Sequence, residues 1–133
     1  MTLVEFLPWA AGLSFIAVCG FVALGEPGRV RNAWMLPAAL SAAFAAWSVA
    51  TAGIEGPTSF WTEHTRNMWG NQIWFDLLLA AGTGWVMLAH QAKGLGMRLL
   101  PWLVLIVSSG SIGLLAMAAR ILYLKQTRTE PVR

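Results

Sequence analysis

Four apolar runs separated by short polar segments dominate the hydrophobic pattern of this chain. Each run reaches or approaches the roughly 20 residues that a helix needs to cross a bilayer. Because the charged residues fall almost entirely between the runs, each run predicts a transmembrane helix. The predicted helices cover Leu3–Leu24, Trp34–Gly53, Gln72–Gln91 and Leu99–Leu124. The pattern therefore predicts an all-α polytopic membrane protein, a bundle of four transmembrane helices in one domain of residues 1–133.

The connection between the second and third predicted helices differs from the other two in length and composition. Residues Ile54–Asn71 mix aromatic side chains with charged ones. This combination is typical of chain segments that lie where the membrane meets water. We therefore predict an interfacial segment between helices two and three, with a short helix from Ser59 onward.

Composition supports the membrane assignment and excludes several function classes. The chain is 57% hydrophobic and 11% charged, whereas soluble domains carry about 25% charged residues. The net charge of +3 comes from linkers and the tail, without a basic patch interleaved with aromatics, so no nucleic-acid partner is expected. Cys19 is the one cysteine, which excludes an intrachain disulfide and a cysteine metal site. No metal site, cofactor or catalytic motif is predicted.

The third predicted helix carries a stripe of polar and small residues opposite an apolar face. At 100° per residue, six side chains fall within about 40° of one line. They are Gln72, Asp76, Ala80, Thr83, Met87 and His90. If Asp76 lay at the membrane surface, the 13 residues from Leu77 to Ala89 would be too few to span it, so Asp76 or the His90 end must enter the hydrocarbon. An ionisable side chain there needs a partner, which makes Asp76 the leading candidate.

Four complete crossings would bring three charged residues to one side of the membrane. Glu5 lies near the start of helix one, Asp76 near the start of helix three, and Arg120 near the end of helix four. Opposite charges at similar depth satisfy one another, so we predict an intramembrane polar cluster in which Asp76 pairs with Arg120 and Glu5 lies nearby. The leading interpretation is an ion pair that clamps two helices. A catalytic acid and a proton-coupled transport group stay open as alternatives.

Several other polar and aromatic residues are secondary candidates. His64 and His90 lie at opposite ends of helix three, so within one chain they cannot share a metal ion. They are interpreted as a surface and an interfacial residue. Trp85 or Trp102 could stabilise a cation if a substrate bound beside Asp76. The complete secondary set is Gln72, Thr83, His64, His90, Trp85 and Trp102.

The basic residues favour one orientation in the membrane. The linkers Gly25–Ala33 and Ala92–Arg98 carry four Lys and Arg residues on one side of the membrane. With four crossings, the end of helix four and the tail would place a similar number of Lys and Arg residues on the other side. The first helix has no basic residue before it and two after it. Weighting this helix most, we predict a multipass membrane protein with both termini outside.

Short motifs in the second half of the chain are similar to those of a known family. They are WFDLLLAAGTGWVM (Trp74–Met87), GLGMR (Gly94–Arg98), Pro101–Trp102 and GSIGLLAMAARILYLK (Gly110–Lys125). Over roughly residues 54–125 the chain resembles an uncharacterised bacterial family of small multipass membrane proteins, domain of unknown function 2834. That family has an Asp-Leu pair opening a helix, a Gly-Met/Ile-Arg linker and a last helix ending in Leu-Arg. The corresponding positions are Asp76–Leu77, Gly96–Arg98 and Leu124–Lys125. The resemblance implies a multipass protein of the bacterial inner (plasma) membrane and no activity, and Arg120 has no obvious counterpart in the family.

The function expected from these features is non-catalytic. Small residues along the helices allow close packing and homo-oligomers. We therefore expect a small integral membrane protein that packs against a partner or itself and binds lipid between helices. The expected partners are membrane lipids and either further copies of the chain or a larger membrane complex. Two alternatives stay open: an intramembrane enzyme that acts on an isoprenoid or lipid with Asp76 as acid, and a small proton-coupled transporter working as a dimer.

Overall fold

The protein is helical throughout the part of the chain that the structure describes. A computed structural model describes residues 2–24 and 32–129. Arg29 and Arg31 of the predicted first linker lie outside the described residues. Within those ranges the helices are α1 (Leu3–Leu24), α2 (Met35–Glu55), α3 (Ser59–Thr65), α4 (Met68–Gly94), α5 (Leu99–Ser109) and α6 (Ser111–Thr129). The all-α prediction is confirmed, and α3 begins at the predicted Ser59.

Three of the described helices are long and apolar enough to cross a membrane. They are Val4–Leu24 within α1, together with α2 and α4. Large apolar side chains along all three are exposed in the single chain, as expected for helices whose surroundings are lipid rather than water. The chain divides into two compact units, Met1–Val30 and Arg31–Arg133, which are described separately below.

In the described part of the first unit, residues 2–24, the start of α1 is capped by two side chains. The Glu5 backbone N–H donates to Thr2 Oγ1 at 3.4 Å, and the Thr2 backbone N–H donates to Glu5 Oε2 at 2.8 Å. This reciprocal arrangement is a capping box, which satisfies backbone donors that have no partner inside the helix. Glu5 therefore stabilises the beginning of its own helix.

The predicted fourth transmembrane helix is interrupted at Gly110, so four crossings are not confirmed. Gly110 has φ +58° and ψ −121°, a backbone conformation that glycine adopts readily and residues with a side chain do not. Its N–H donates to the Ile106 carbonyl at 2.7 Å, which closes the last turn of α5. The chain then starts α6 in a new direction.

Helix α6 folds back along α5 to form a helical hairpin. A β-carbon built at Gly113 would lie 2.8 Å from the backbone N and Cα of Ile106. In one continuous helix these residues would be about 10 Å apart along the axis. At the far end of the hairpin, Lys125 Nζ donates to Gln91 Oε1 at 2.6 Å. Helix α6 therefore ends beside the end of α4, close to where α5 began.

Helix α6 also packs along α2, and the two helices run antiparallel. Near the start of α2, the Asn32 N–H donates to Gln126 Oε1, and Gln126 Nε2 donates to Asn32 Oδ1, each at 3.1 Å. Further along α2, the buried Ser41 Oγ donates to the Ile112 carbonyl at 2.9 Å. The beginning of α6 therefore lies level with the middle of α2, and its end lies level with the start of α2.

The buried core of the second unit lies where α4, α5 and α6 meet. Ala92 and Met117 are fully buried, and Ile106 and Ile121 are nearly so. The side chains packed against them include Trp85, Leu88, Trp102 and Leu114. Because α4 contributes residues from one side only, this core also determines which face of α4 points away from the chain.

At the opposite end of the unit, α3 is held against the start of α4. A β-carbon built at Gly70 would collide with the Glu63 carbonyl oxygen, so the two backbones are in direct contact. Asn67 caps α4 by accepting the Gly70 N–H at 2.8 Å. Asn71 Nδ2 donates to the His64 carbonyl at 2.7 Å. These contacts make the α3–α4 corner a tightly closed structure.

Candidate association face on helix α4

The predicted polar stripe of α4 points away from the rest of its unit. We call the six residues of this stripe the α4 polar face: Gln72, Asp76, Ala80, Thr83, Met87 and His90. All six are exposed, whereas Trp74, Ala81, Trp85 and Leu88 on the other side of the helix are half-buried. A β-carbon built at Gly84 would lie 3.4 Å from Leu114 Cδ2, so α6 approaches that apolar side. The core uses the apolar side of α4 and leaves the polar face uncovered.

Asp76 has no partner among the described residues. The salt bridge that forms in this part of the chain joins Arg66 Nη1 to Glu63 Oε1 at 3.4 Å, and both side chains are exposed. No hydrogen bond or ion pair of the Asp76 carboxylate occurs in residues 2–24 and 32–129. The predicted Asp76–Arg120 ion pair is therefore not formed within the chain.

The fold-back at Gly110 explains why this pair is missing. A continuous fourth helix would carry Arg120 to the membrane side where α4 begins. Instead, α6 returns toward the end of α4, since Lys125 contacts Gln91. Arg120 thus lies toward the far end of α4 from Asp76. Its guanidinium carbon packs 5.6 Å from the centre of the Tyr123 ring.

The other members of the predicted polar cluster and the aromatic candidates have separate roles. Glu5 caps α1 through the reciprocal hydrogen bonds described above. Trp85 and Trp102 pack against the buried core, and Trp85 does so from the side of α4 opposite Asp76. Neither tryptophan belongs to the α4 polar face, which removes the geometric basis for pairing them with Asp76 as cation stabilisers.

The two histidines lie in different environments. The His64 ring is 4.8 Å from the Trp74 ring and 6.4 Å from the Phe60 ring, centre to centre, so it is part of the α3–α4 corner. His90 is exposed on the α4 polar face, more than three turns from Asp76. In the described ranges, no three His, Cys, Asp or Glu side chains lie close enough to hold a metal ion together.

The second unit has a strongly asymmetric distribution of charge. Lys93, Arg98, Lys125 and Arg128 gather at the end where α4 and α6 finish. Arg128 Nη2 donates there to the Leu95 carbonyl at 2.8 Å, and Lys125 contacts Gln91. Every acidic residue of the unit's described part lies toward the other end. These are Glu55, Glu63 and Asp76.

A shallow groove borders the α4 polar face. It is lined by Leu78, Leu79, Gly82, Thr83, Val86 and Met87, so small and apolar surface lies directly beside the polar line. The surface around Asp76 therefore combines one carboxylate and one hydroxyl with apolar contact area. Helix–helix interfaces within membranes have this composition.

Comparison with known proteins adds no functional information. No protein-family model, curated protein or solved structure matches this chain. The resemblance to the domain of unknown function 2834 family stays an expectation based on short motifs.

Proposed function

We propose that this protein is a non-catalytic integral membrane protein of the bacterial inner (plasma) membrane that works by helix association through the α4 polar face. The observation that carries this proposal is the outward orientation of Asp76, Thr83 and His90 on a helix long and apolar enough to span a membrane. The chain's own core packs on the other side of α4. The partner is a transmembrane helix of a second copy or of a larger complex, and lipid fills the adjoining groove where the partner does not.

The depth of Asp76 gives the physical reason for a partner. Gln72 and Gln91 bound a segment of 20 residues, about 30 Å of helix, which matches the hydrocarbon thickness. Asp76 is one turn inside that segment. A charged side chain at the centre of the hydrocarbon costs at least about 2.5 kcal/mol, and a polar group on a neighbouring helix offsets much of this cost. A lipid-facing position for Asp76 in an isolated chain is therefore unfavourable.

The hairpin changes the expected arrangement in the membrane. Helix α5 has 11 residues, about 16 Å, which is half the hydrocarbon thickness. We propose that α5 and α6 enter and leave the membrane on one side, so that α1, α2 and α4 are the crossings. The tail then lies on the same side as Lys93 and Arg98. The positive-inside rule makes this side cytoplasmic, which reverses the orientation predicted for the carboxyl terminus. The amino terminus outside stays a prediction.

Asp76→Leu should abolish association without destabilising the single chain. Asp76 has no partner in residues 2–24 and 32–129, so its loss should change the free energy of unfolding by no more than about 0.5 kcal/mol. The native assembly, solubilised in mild detergent, should shrink to the size of one chain. Its size by native electrophoresis and the chemical unfolding of the purified chain are the two measurements.

Ser108→Leu is the matched control. Ser108 is also an exposed polar residue of an apolar helix, but it lies on α5 and bonds its own helix through the Leu105 carbonyl at 3.0 Å. This variant should leave the assembly size unchanged. A helix clamp between Asp76 and Arg120 would behave differently: Asp76→Leu would lower the stability of the single chain, and adding Arg120→Leu would restore it. That result would contradict the proposal.

A further inference from the structure

We propose that the partner of the α4 polar face is a second copy of this chain, with the two α4 helices packed in parallel around a twofold axis. This inference rests on the proposed function and names its partner. The contact would follow a line that we call the α4 seam, which differs from the α4 polar face by including Ile73 and omitting Gln72. Its residues are Ile73, Asp76, Ala80, Thr83, Met87 and His90.

The spacing along the α4 seam is that of a two-helix contact. Its members are separated by three, four, three, four and three residues, an alternation that repeats every seven residues and so gives 3.5 residues per position. This period keeps one line of side chains facing a partner helix when the two helices cross at about 20° in a left-handed sense. All six residues are exposed in the single chain. The described part of the second unit therefore presents an uninterrupted seam over five helical turns.

The order of polar and apolar residues along the seam favours a second copy over a different protein. Asp76, Thr83 and His90 are each seven residues apart, which is about 10 Å of helix. A helix from a different protein would need polar groups at the same three depths in the membrane as Asp76, Thr83 and His90. A parallel copy supplies them by symmetry, since each residue of an isologous interface near the axis meets its own counterpart.

Individual layers of this interface are chemically compatible. Two carboxyl groups at the Asp76 level hydrogen-bond each other while at least one of them carries a proton. The two hydroxyls at the Thr83 level also hydrogen-bond each other. Ala80, which lies between Asp76 and Thr83 along the helix, allows the two backbones to approach closely. Arg120 cannot replace this contact in a parallel pair, because it lies toward the Gln91 end of α4 and so at a different depth from Asp76.

Membrane insertion makes the parallel arrangement the relevant one. All copies carry the same four basic residues at the end where α4 and α6 finish, so they insert with the same orientation. Two α4 helices in one bilayer therefore run in the same direction. The antiparallel alternative, which would bring Asp76 level with His90, is not accessible to copies inserted in this way.

Disulfide formation along α4 tests the seam. Single cysteines are introduced at Ala80, Thr83 and Met87 in a Cys19→Ser background, since Cys19 is an exposed free thiol. Phe75→Cys is the control, because Phe75 is 55% exposed on the same helix but points about 100° away from the seam. Membranes holding each variant are oxidised, and the linked dimer is measured by non-reducing electrophoresis.

The seam cysteines should form a linked dimer at least about tenfold faster than Phe75→Cys, because a disulfide requires Cα atoms within about 7 Å. Adding Asp76→Leu to Thr83→Cys should remove this difference. Equal rates at seam and control positions would overturn the second-copy inference. If seam cysteines do not link to each other while Asp76→Leu still shrinks the native assembly, the association function stands with a different partner. If both results are negative, the proposed function fails as well.

Discussion

Replacing Gly113 with alanine should open the α5–α6 hairpin and destabilise the chain by about 1–3 kcal/mol. The added β-carbon would lie 2.8 Å from the backbone N and Cα of Ile106. Neither atom can move without displacing α5, so the contact cannot be relieved by a change of side-chain rotamer. Because Ile106 and Met117 belong to the same buried core, separating the two helices also exposes core surface. Unfolding of the purified protein in detergent measures this loss.

Gly53→Ala provides the matched control for this substitution. Gly53 is exposed within α2, and a β-carbon built there has nothing within 4 Å. Alanine in an exposed helical position is more stable than glycine by up to about 1 kcal/mol. The two Gly→Ala changes should therefore shift stability in opposite directions. Equal shifts for Gly113→Ala and Gly53→Ala would mean that α6 does not approach α5 as closely as described.

Gly70→Ala should open the α3–α4 corner, with a local cost of about 1–3 kcal/mol. The new β-carbon would collide with the Glu63 carbonyl oxygen and would lie 3.0 Å from the His64 carbonyl oxygen. Moving α3 away would also break the hydrogen bond from Asn71 to the His64 carbonyl. Arg66 lies in the corner between the two helices, so the rate of tryptic cleavage after Arg66 reports opening directly. We expect a clear increase in that rate.

The control for the corner is Gly82→Ala on the same helix. A β-carbon at Gly82 has nothing within 4 Å, so cleavage after Arg66 should stay at the unsubstituted rate. An unchanged rate for Gly70→Ala as well would contradict the close contact between α3 and α4. His64 packs on Trp74 in this corner, so the same variant should also alter the environment of that ring.

Length and composition were sufficient to predict the long helices. Helix α1 has its predicted bounds, and α2 and α4 contain most of their predicted segments, because runs of about 20 apolar residues are dictated by the thickness of the bilayer. The predicted fourth helix is divided into α5 and α6 for a local reason. Gly110 lies between two serines, a helix-stop signal that hydropathy does not register. A helix that ends there leaves α5 too short to cross the membrane.

The candidate site was predicted only in part, for the same local reason. The polar stripe of α4 follows from periodicity, and its exposed residues are the ones that the helical repeat placed on one face. The ion pair predicted between Asp76 and Arg120 does not form. That prediction required a continuous fourth helix, which would have brought Arg120 to the same depth in the membrane as Asp76. Glu5 lies three residues after Thr2, the spacing that identifies a capping box, so its partner is local and does not belong to the predicted cluster.

The return of α6 to the end of α4 is tested most directly by the membrane side of three positions. Single cysteines replace Thr62 on α3, Lys93 at the end of α4 and Thr129 at the end of α6, in the Cys19→Ser background. A membrane-impermeant thiol reagent is applied to intact cells and, separately, to opened cells. We predict that Lys93→Cys and Thr129→Cys react only in opened cells, while Thr62→Cys reacts in both. Labelling of Thr129→Cys together with Thr62→Cys in intact cells, as a complete fourth crossing requires, would contradict the fold-back and restore Arg120 as a partner for Asp76.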